Sequence, residues 1–165
     1  MRLLALFLAF LTPAFAVDLV VYGGSAAGVM AAVQARRMGL SVALVAAEKH
    51  LGGIAVDGLG SNDIDNHWFR NSDAVGGLAA ENYLRLGAKY GQSQPVYRYE
   101  SHVAEAVFGD LLREAGVTVY RGRRLREPLV SAVEWRDRAI RAIVTESGQR
   151  FEGRVFLDAT LEGDL

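Results

Sequence analysis

The densest group of residues able to do chemistry is Gly23-Gly24-Ser25-Ala26-Ala27-Gly28, a G-x-S-x-x-G run. Its neighbours give it meaning. An apolar, β-branched stretch, Asp18-Leu19-Val20-Val21-Tyr22, precedes it, and helix-forming residues from Val29 to Met38 follow. A glycine turn between a strand and a helix is an anion cradle. Free N–H groups at the helix start, and the positive end of the helix dipole, face the phosphates of a dinucleotide. Gly23 allows the tight turn, a small residue at 25 lets backbone approach a diphosphate, and Gly28 lets the helix pack on the strand. Serine replaces the usual middle glycine, and its hydroxyl is a candidate phosphate donor. The competing reading is a glycine-rich packing turn with no ligand.

An acidic residue ordinarily ends the second strand of such a unit and takes the ribose hydroxyls. Here that position is Ala46, and the nearest acid is Glu48, two residues later. Either Glu48 reaches back to a ribose, or it is an exposed loop carboxylate. Further along, the loop Gly58–His67 carries Asp63, Asp65 and His67. A histidine with carboxylates nearby can act as a base, accept a proton coupled to a redox step, or anchor a cofactor covalently. The alternative is a polar turn with Asx-type capping. His50, beside the pair Gly52-Gly53, reads as a loop histidine satisfied by backbone, with contact to a bound cofactor as the other reading, and His102 reads as a helix-start residue.

Other chemistries are excluded by residue type. With no cysteine, the segment has no disulfide, no thiolate metal site and no redox dithiol. Three scattered histidines show no zinc spacing, and Asp63 and Asp65 lack the glycine and late glutamate of a calcium loop, so no metal is expected. No serine stands in a G-x-S-x-G elbow, which sets hydrolase chemistry aside. A formal net charge of −1 gives no general attraction to nucleic acid, and the run Arg121, Arg123, Arg124, Arg126 reads as a solvated strand exit.

The elements that must position these residues form an α/β pattern. Asp18–Tyr22 and Ser41–Val45 read as buried parallel strands joined by the helix, which Gly39 stops. Helices are expected over residues 73–90 and from Ser101 or His102 to Ala115, ended by Gly116, with a third buried strand at Val117–Tyr120. Leu129–Trp135, Ala139–Thr145 and a short piece at Arg150-Phe151 read as an antiparallel meander with turns at Asp137 and Ser147-Gly148. A separate apolar run, Arg154–Leu157, leads into Asp158-Ala159-Thr160. The expected fold is Rossmann-like: a parallel sheet with helices on both faces and an inserted antiparallel β-meander.

Taken together, G-x-S-x-x-G, then His50-Leu51-Gly52-Gly53, then Asp158-Ala159-Thr160-x-Glu162-Gly163-Asp164 resemble the FAD-dependent oxidoreductase family. That family belongs to the glutathione-reductase-like flavoproteins with two dinucleotide-binding domains. The resemblance covers nearly all of the chain after residue 16. It implies FAD as the tightly held cofactor, with Gly52 and Gly53 beside its diphosphate, Val119 near the adenine, and Asp158 and Ala159 returning beside the cofactor. It also implies a continuation into a substrate domain, so the segment 17–165 is expected to be an incomplete FAD-binding domain. Alone, such a segment would expose apolar surface and sheet edges, aggregate or bind FAD weakly. An NAD(P)-dependent dehydrogenase, or a non-catalytic dinucleotide-binding scaffold, are the alternatives that Ala46 and Ser25 leave open.

Residues 1–16 read as a signal peptide: Arg2, the apolar run Leu3–Leu11, then Pro13 and the small-x-small Ala14-Phe15-Ala16. The run is too short for a bilayer, which takes about 20 residues. A buried strand or an uncleaved anchor is the other reading. No twin-arginine pair precedes it, so Sec-type export to the periplasm or the outside is expected, with a small-molecule substrate and a separate electron acceptor as partners.

Overall fold

A computed structural model describes residues 17–60, 64 and 74–165. In chain order these form β1 (Val17–Tyr22), α1 (Ala26–Arg37), β2 (Val42–Val45), a 3-10 turn (Gly53–Ala55), α2 (Gly77–Lys89) and α3 (Ser101–Ala115). β3 (Thr118–Tyr120), a second 3-10 turn (Leu129–Ser131), β4 (Val133–Arg136), β5 (Ala139–Val144) and β6 (Arg150–Asp158) follow. The strands make one sheet in the order β3-β2-β1-β6-β5-β4. β1 lies parallel to both β2 and β6, and β2 is parallel to β3, while β5 runs antiparallel to β4 and to β6.

Alternation along β1 sends Leu19 and Val21 to one face and Val20 and Tyr22 to the other, and all four are buried. Leu19 and Val21 pack against the helices. In α3 the buried set Ala104, Val107, Phe108, Leu111 and Leu112 follows the helical spacing and makes one apolar stripe. Val20 and Tyr22 meet Leu125, Ala132, Ile143 and Phe151 instead, residues of the meander and the segment leading to it. The parallel sheet is as expected, but helices on both faces are not. Among the described residues the three helices share one face, and the meander covers the other.

Four further boundaries differ from the sequence reading. α1 begins at Ala26 rather than Val29, because Ser25 caps it by accepting from the Gly28 N–H. β3 was expected to be buried; it is the edge strand, with Thr118 exposed and Val119 half-buried. Leu129–Ser131 coils into a 3-10 turn, so β4 starts only at Val133. The pieces at 150–151 and 154–157 are one strand, β6, whose first residues pair with β5 and whose remainder pairs with β1. Gly153 lies at that handover, where a Cβ would stand 2.8 Å from Val20 Cγ2.

Charged side chains clamp the outer helix surfaces. Arg37 forks onto Glu81 (2.6 and 2.8 Å), Arg85 also reaches Glu81 (2.9 Å), and Arg85 forks onto Glu114 (2.7 and 2.9 Å). Hydrogen bonds from Arg37, then Arg85, hold the Glu81 carboxyl at a pKa of about 2. The chain thus joins α1, α2 and α3 and fixes the axis along which α1 points at the glycine turn.

Candidate dinucleotide site

The turn Gly23–Gly28 is made by backbone meeting backbone. Gly23 adopts φ +115°, and a Cβ there would stand 2.5 Å from the Ala159 carbonyl carbon. At Gly28 a Cβ would stand 2.2 Å from the Gly23 oxygen and 3.0 Å from Ala159 Cβ. Glycine is therefore required at both ends for contact, beyond any conformational preference. The Ser25 hydroxyl donates to the Ala159 carbonyl (2.7 Å) while accepting from Gly28 N–H (3.2 Å). Its one proton is thus committed to β6's exit and is not aimed at a ligand, which corrects the reading of Ser25 as a phosphate donor through its side chain.

Gly52 and Gly53 stack on this turn. Gly52 N–H donates to the Gly24 carbonyl (2.7 Å), Ser25 and Gly52 form a bridge, and a Cβ on Gly53 would come 3.3 Å from Ser25 Cα. The two glycine segments, far apart in sequence, converge at the start of α1. There Ala26 and Ala27 occupy the first helical turn, ahead of the helix's own hydrogen-bond ladder, and Ala27 is exposed. This is a geometry suited to an anion: a helix start whose first turn carries only small side chains. The site fits a diphosphate.

Beside the turn lies a crevice of about 420 Å³ at the carboxyl ends of β1, β2 and β6. Ligands of open α/β sheets bind in such a crevice. Tyr22, Gly23, Glu48, Arg124 and Leu125 line one part, and Thr160, Glu162 and Asp164 another. Glu48 is exposed and its Oε2 accepts from the Gly24 N–H at 3.3 Å, so it does reach back over the turn from two residues beyond Ala46. Ala46 itself is fully buried, and its backbone N–H and carbonyl are taken by Tyr120 and Arg123.

The Asp158-Ala159-Thr160 segment divides its labour. Asp158 Oδ1 accepts from the Thr160 N–H (2.8 Å) and hydroxyl (2.7 Å), and its Oδ2 accepts from Leu165 N–H (2.9 Å). Burial pushes the Asp158 carboxyl up, but these bonds from Thr160 and Leu165 outweigh it and leave its pKa below the ordinary value. Thr160 Oγ1 in turn accepts from the N–H groups of Gly163 (3.0 Å) and Asp164 (3.2 Å). Asp158 and Thr160 thus tie a turn that presents Glu162 and Asp164 to the crevice. Burial, then the neighbouring Glu162, Asp158 and Glu127, raise the Asp164 carboxyl above its usual range.

Of the residues singled out in the sequence, Gly23, Gly24, Ser25, Ala26, Ala27, Gly28, Glu48, Gly52, Gly53 and Ala159 are brought together around the turn. Val119 is not: it pairs with Leu44 in β3 and packs on the helix-side core. Arg124 and Leu125, five and six positions later, occupy the crevice instead. Asp63, Asp65 and His67 lie outside the described residues. His50 is exposed and bonds Glu105 of α3 (2.9 Å), and His102 lies at the exposed start of α3. Two of the four arginines of the run are engaged with the fold, as Arg121 reaches the Lys49 carbonyl (2.5 Å) and Arg123 the Gln149 amide oxygen (2.8 Å). Among the described residues no group of three or more His, Cys, Asp or Glu could hold a metal ion, and no helix is long and apolar enough to cross a membrane.

A family model described as "FAD dependent oxidoreductase" matches residues 18–165. Comparison with curated proteins gave no match. Among solved structures, L-proline dehydrogenase from P. horikoshii is similar over 88% of this chain and 53% of its own, at 12% identity and a TM-score of 0.63. L-amino acid deaminase from Proteus vulgaris is similar over 87% of this chain and 47% of its own, at 16% identity and a TM-score of 0.61. A flavin-containing monooxygenase from Stenotrophomonas maltophilia shares 22% identity over 88% of this chain and 38% of its own, with a TM-score of 0.57. At these identities the likeness is one of fold. The chain spans about half the length of the first two and less of the third.

Proposed function

The chain belongs to the FAD dependent oxidoreductase family, with FAD as its cofactor, and from that premise we propose that residues 17–165 hold the adenosine diphosphate half of FAD. The diphosphate meets the backbone of Ser25, Ala26 and Ala27, with Gly28 and the pair Gly52-Gly53 allowing the turn segments to pack closely there. The adenosine occupies the crevice, with Glu48 as acceptor for its ribose hydroxyls and the Arg124-Leu125 segment as wall. The observation that carries the reading is the convergence of both glycine segments at the start of α1, where Cβ atoms are excluded. FAD supplies the redox chemistry when bound, and this part of the chain binds and orients it.

The whole protein, in this reading, is an exported oxidoreductase acting on a small molecule and passing electrons to a separate acceptor. The order of basic, apolar and small residues in 1–16 supports export. Proton transfer at the substrate side falls to His67 with Asp63 and Asp65, whose types suit it and whose loop follows the Gly52-Gly53 turn. The test is an absorption spectrum of the purified full-length gene product before and after denaturation, with the released cofactor identified by chromatography. A flavin spectrum with FAD released is the expected result. A colourless protein that FAD cannot reconstitute would overturn the reading and favour a non-catalytic scaffold.

A further inference from the structure

Tyr22 ends β1 directly beneath the glycine turn, and it is only 2% exposed. Its ring belongs to the apolar cluster under the meander, yet it also lines the crevice. The hydroxyl accepts a hydrogen bond from the Leu125 N–H at 3.1 Å. A phenol has one proton of its own besides its acceptor lone pairs, and among the described residues none accepts the Tyr22 proton. A buried donor without an acceptor is costly, so such groups are ordinarily satisfied by something. The ring belongs to the core while the residue lines the crevice, and the crevice is the open space beside it.

The charges around the group keep it a donor. Burial raises the Tyr22 pKa, the Leu125 bond opposes that rise, and the crevice carboxylates Asp164 and Glu48 add to it, with Arg124 acting the other way. Neither carboxylate is within hydrogen-bond range. The hydroxyl therefore stays protonated at neutral pH beside the space in which adenosine has been placed. Adenosine offers it ring nitrogens and ribose oxygens, all acceptors.

We propose that the Tyr22 hydroxyl is a positioning residue for the dinucleotide, donating a hydrogen bond to its adenosine half while holding the Arg124-Leu125 wall through the Leu125 N–H. The inference rests on the placement of FAD given above. It makes β1's last side chain a recognition element, one that couples the crevice wall to its occupant through a single oxygen.

The test uses the full-length protein, stripped of cofactor, with ADP as probe. Tyr22→Phe keeps the ring and removes the hydroxyl. ADP affinity is expected to fall roughly two- to tenfold, the effect of one hydrogen bond. A set of ADP analogues, each with one ring nitrogen replaced by carbon or one ribose hydroxyl by hydrogen, then separates contact from mere support. One analogue should bind wild type and variant equally. A uniform loss across the whole set would show that the hydroxyl only latches Leu125 and would overturn the proposal, as would unchanged ADP affinity. Should Tyr22→Phe fail to fold, a ring-fluorinated tyrosine at the same position gives the answer by sign. A more acidic phenol donates better and accepts worse, so ADP should bind more tightly if the hydroxyl contacts it, and more weakly if it serves only as a latch. Wild-type protein that binds FAD but not ADP would refute the inference and leave the family's cofactor intact. Protein that binds neither would refute the placement of FAD as well.

Discussion

The glycine turn and the crevice beside it are neighbours built by opposite means. In the turn, backbone touches backbone: a Cβ on Gly28 would be 2.2 Å from the Gly23 oxygen, and one on Gly23 would be 2.5 Å from Ala159. In the crevice, the walls are side chains drawn from four distant segments, and carboxylates predominate around a single guanidinium, that of Arg124. The difference teaches where each kind of specificity lives. On the proposed placement of FAD, the turn would take the diphosphate by shape and backbone N–H groups, and the crevice would select what the diphosphate carries; there single functional groups can be altered without dismantling the fold.

If that contrast holds, the largest effect belongs to Gly28→Ala. The methyl group has nowhere to go except into Gly23 and Ala159, so we expect a loss on the order of 3 kcal/mol in stability or outright misfolding, read by denaturant unfolding. A variant as stable as wild type would mean the turn is looser than the contacts require. Ser25→Ala comes next. It removes the helix cap and the bond to the Ala159 carbonyl together, and about 2 kcal/mol should be lost by the same measurement. Cofactor binding should fall mainly through that loss, because the hydroxyl proton is already engaged.

The helix clamp behind the turn sets a pH window of its own. Glu81 has a folded pKa of about 2 against an ordinary 4.5, a depressed carboxylate. Its contribution is therefore fully present above about pH 4.5 and lost as pH falls toward 2, on the order of 1 kcal/mol given partial solvent screening. Glu81→Gln should flatten that part of the stability–pH curve, and an unchanged curve would remove the clamp from the account. The smallest effect is expected for Glu48→Gln. An amide oxygen can still accept from the Gly24 N–H, so stability should change by less than about 0.5 kcal/mol. ADP affinity should nonetheless drop by roughly two- to tenfold, the worth of a charged acceptor against a ribose hydroxyl. Loss of folding in this variant would blur the line between turn and crevice.

Legibility in the sequence follows the same division. The turn could be read because its requirements are local: a strand, six small residues and a helix in direct succession. Gly116 was readable as the stop of α3 for a similar reason, and it does adopt φ +68°. The crevice could not be read so, because its walls come together only after the sheet forms. Val119 pairs with Leu44 in the sheet, whereas Arg124 and Leu125 are brought to the crevice by hydrogen bonds of Arg123 to Ala46 and of Arg126 to Val144. β6 looked like two pieces because its apolar pattern is interrupted at Gly153, where the strand changes partner and face contacts. The choice of covering layer was hidden as well. Val20 and Tyr22 read as buried whether a helix or a meander lies over them, and only the reach of residues 125–151 decides for the meander.

On the proposed placement, one turn and one crevice together hold the adenosine diphosphate half of FAD. The most direct test is a crystal structure of the full-length protein with FAD bound. The diphosphate is expected within hydrogen-bond distance of the backbone N–H groups of residues 25–27, and the adenosine between Glu48 and the Arg124-Leu125 segment. A diphosphate bound elsewhere, or an adenosine lying outside the crevice, would contradict it.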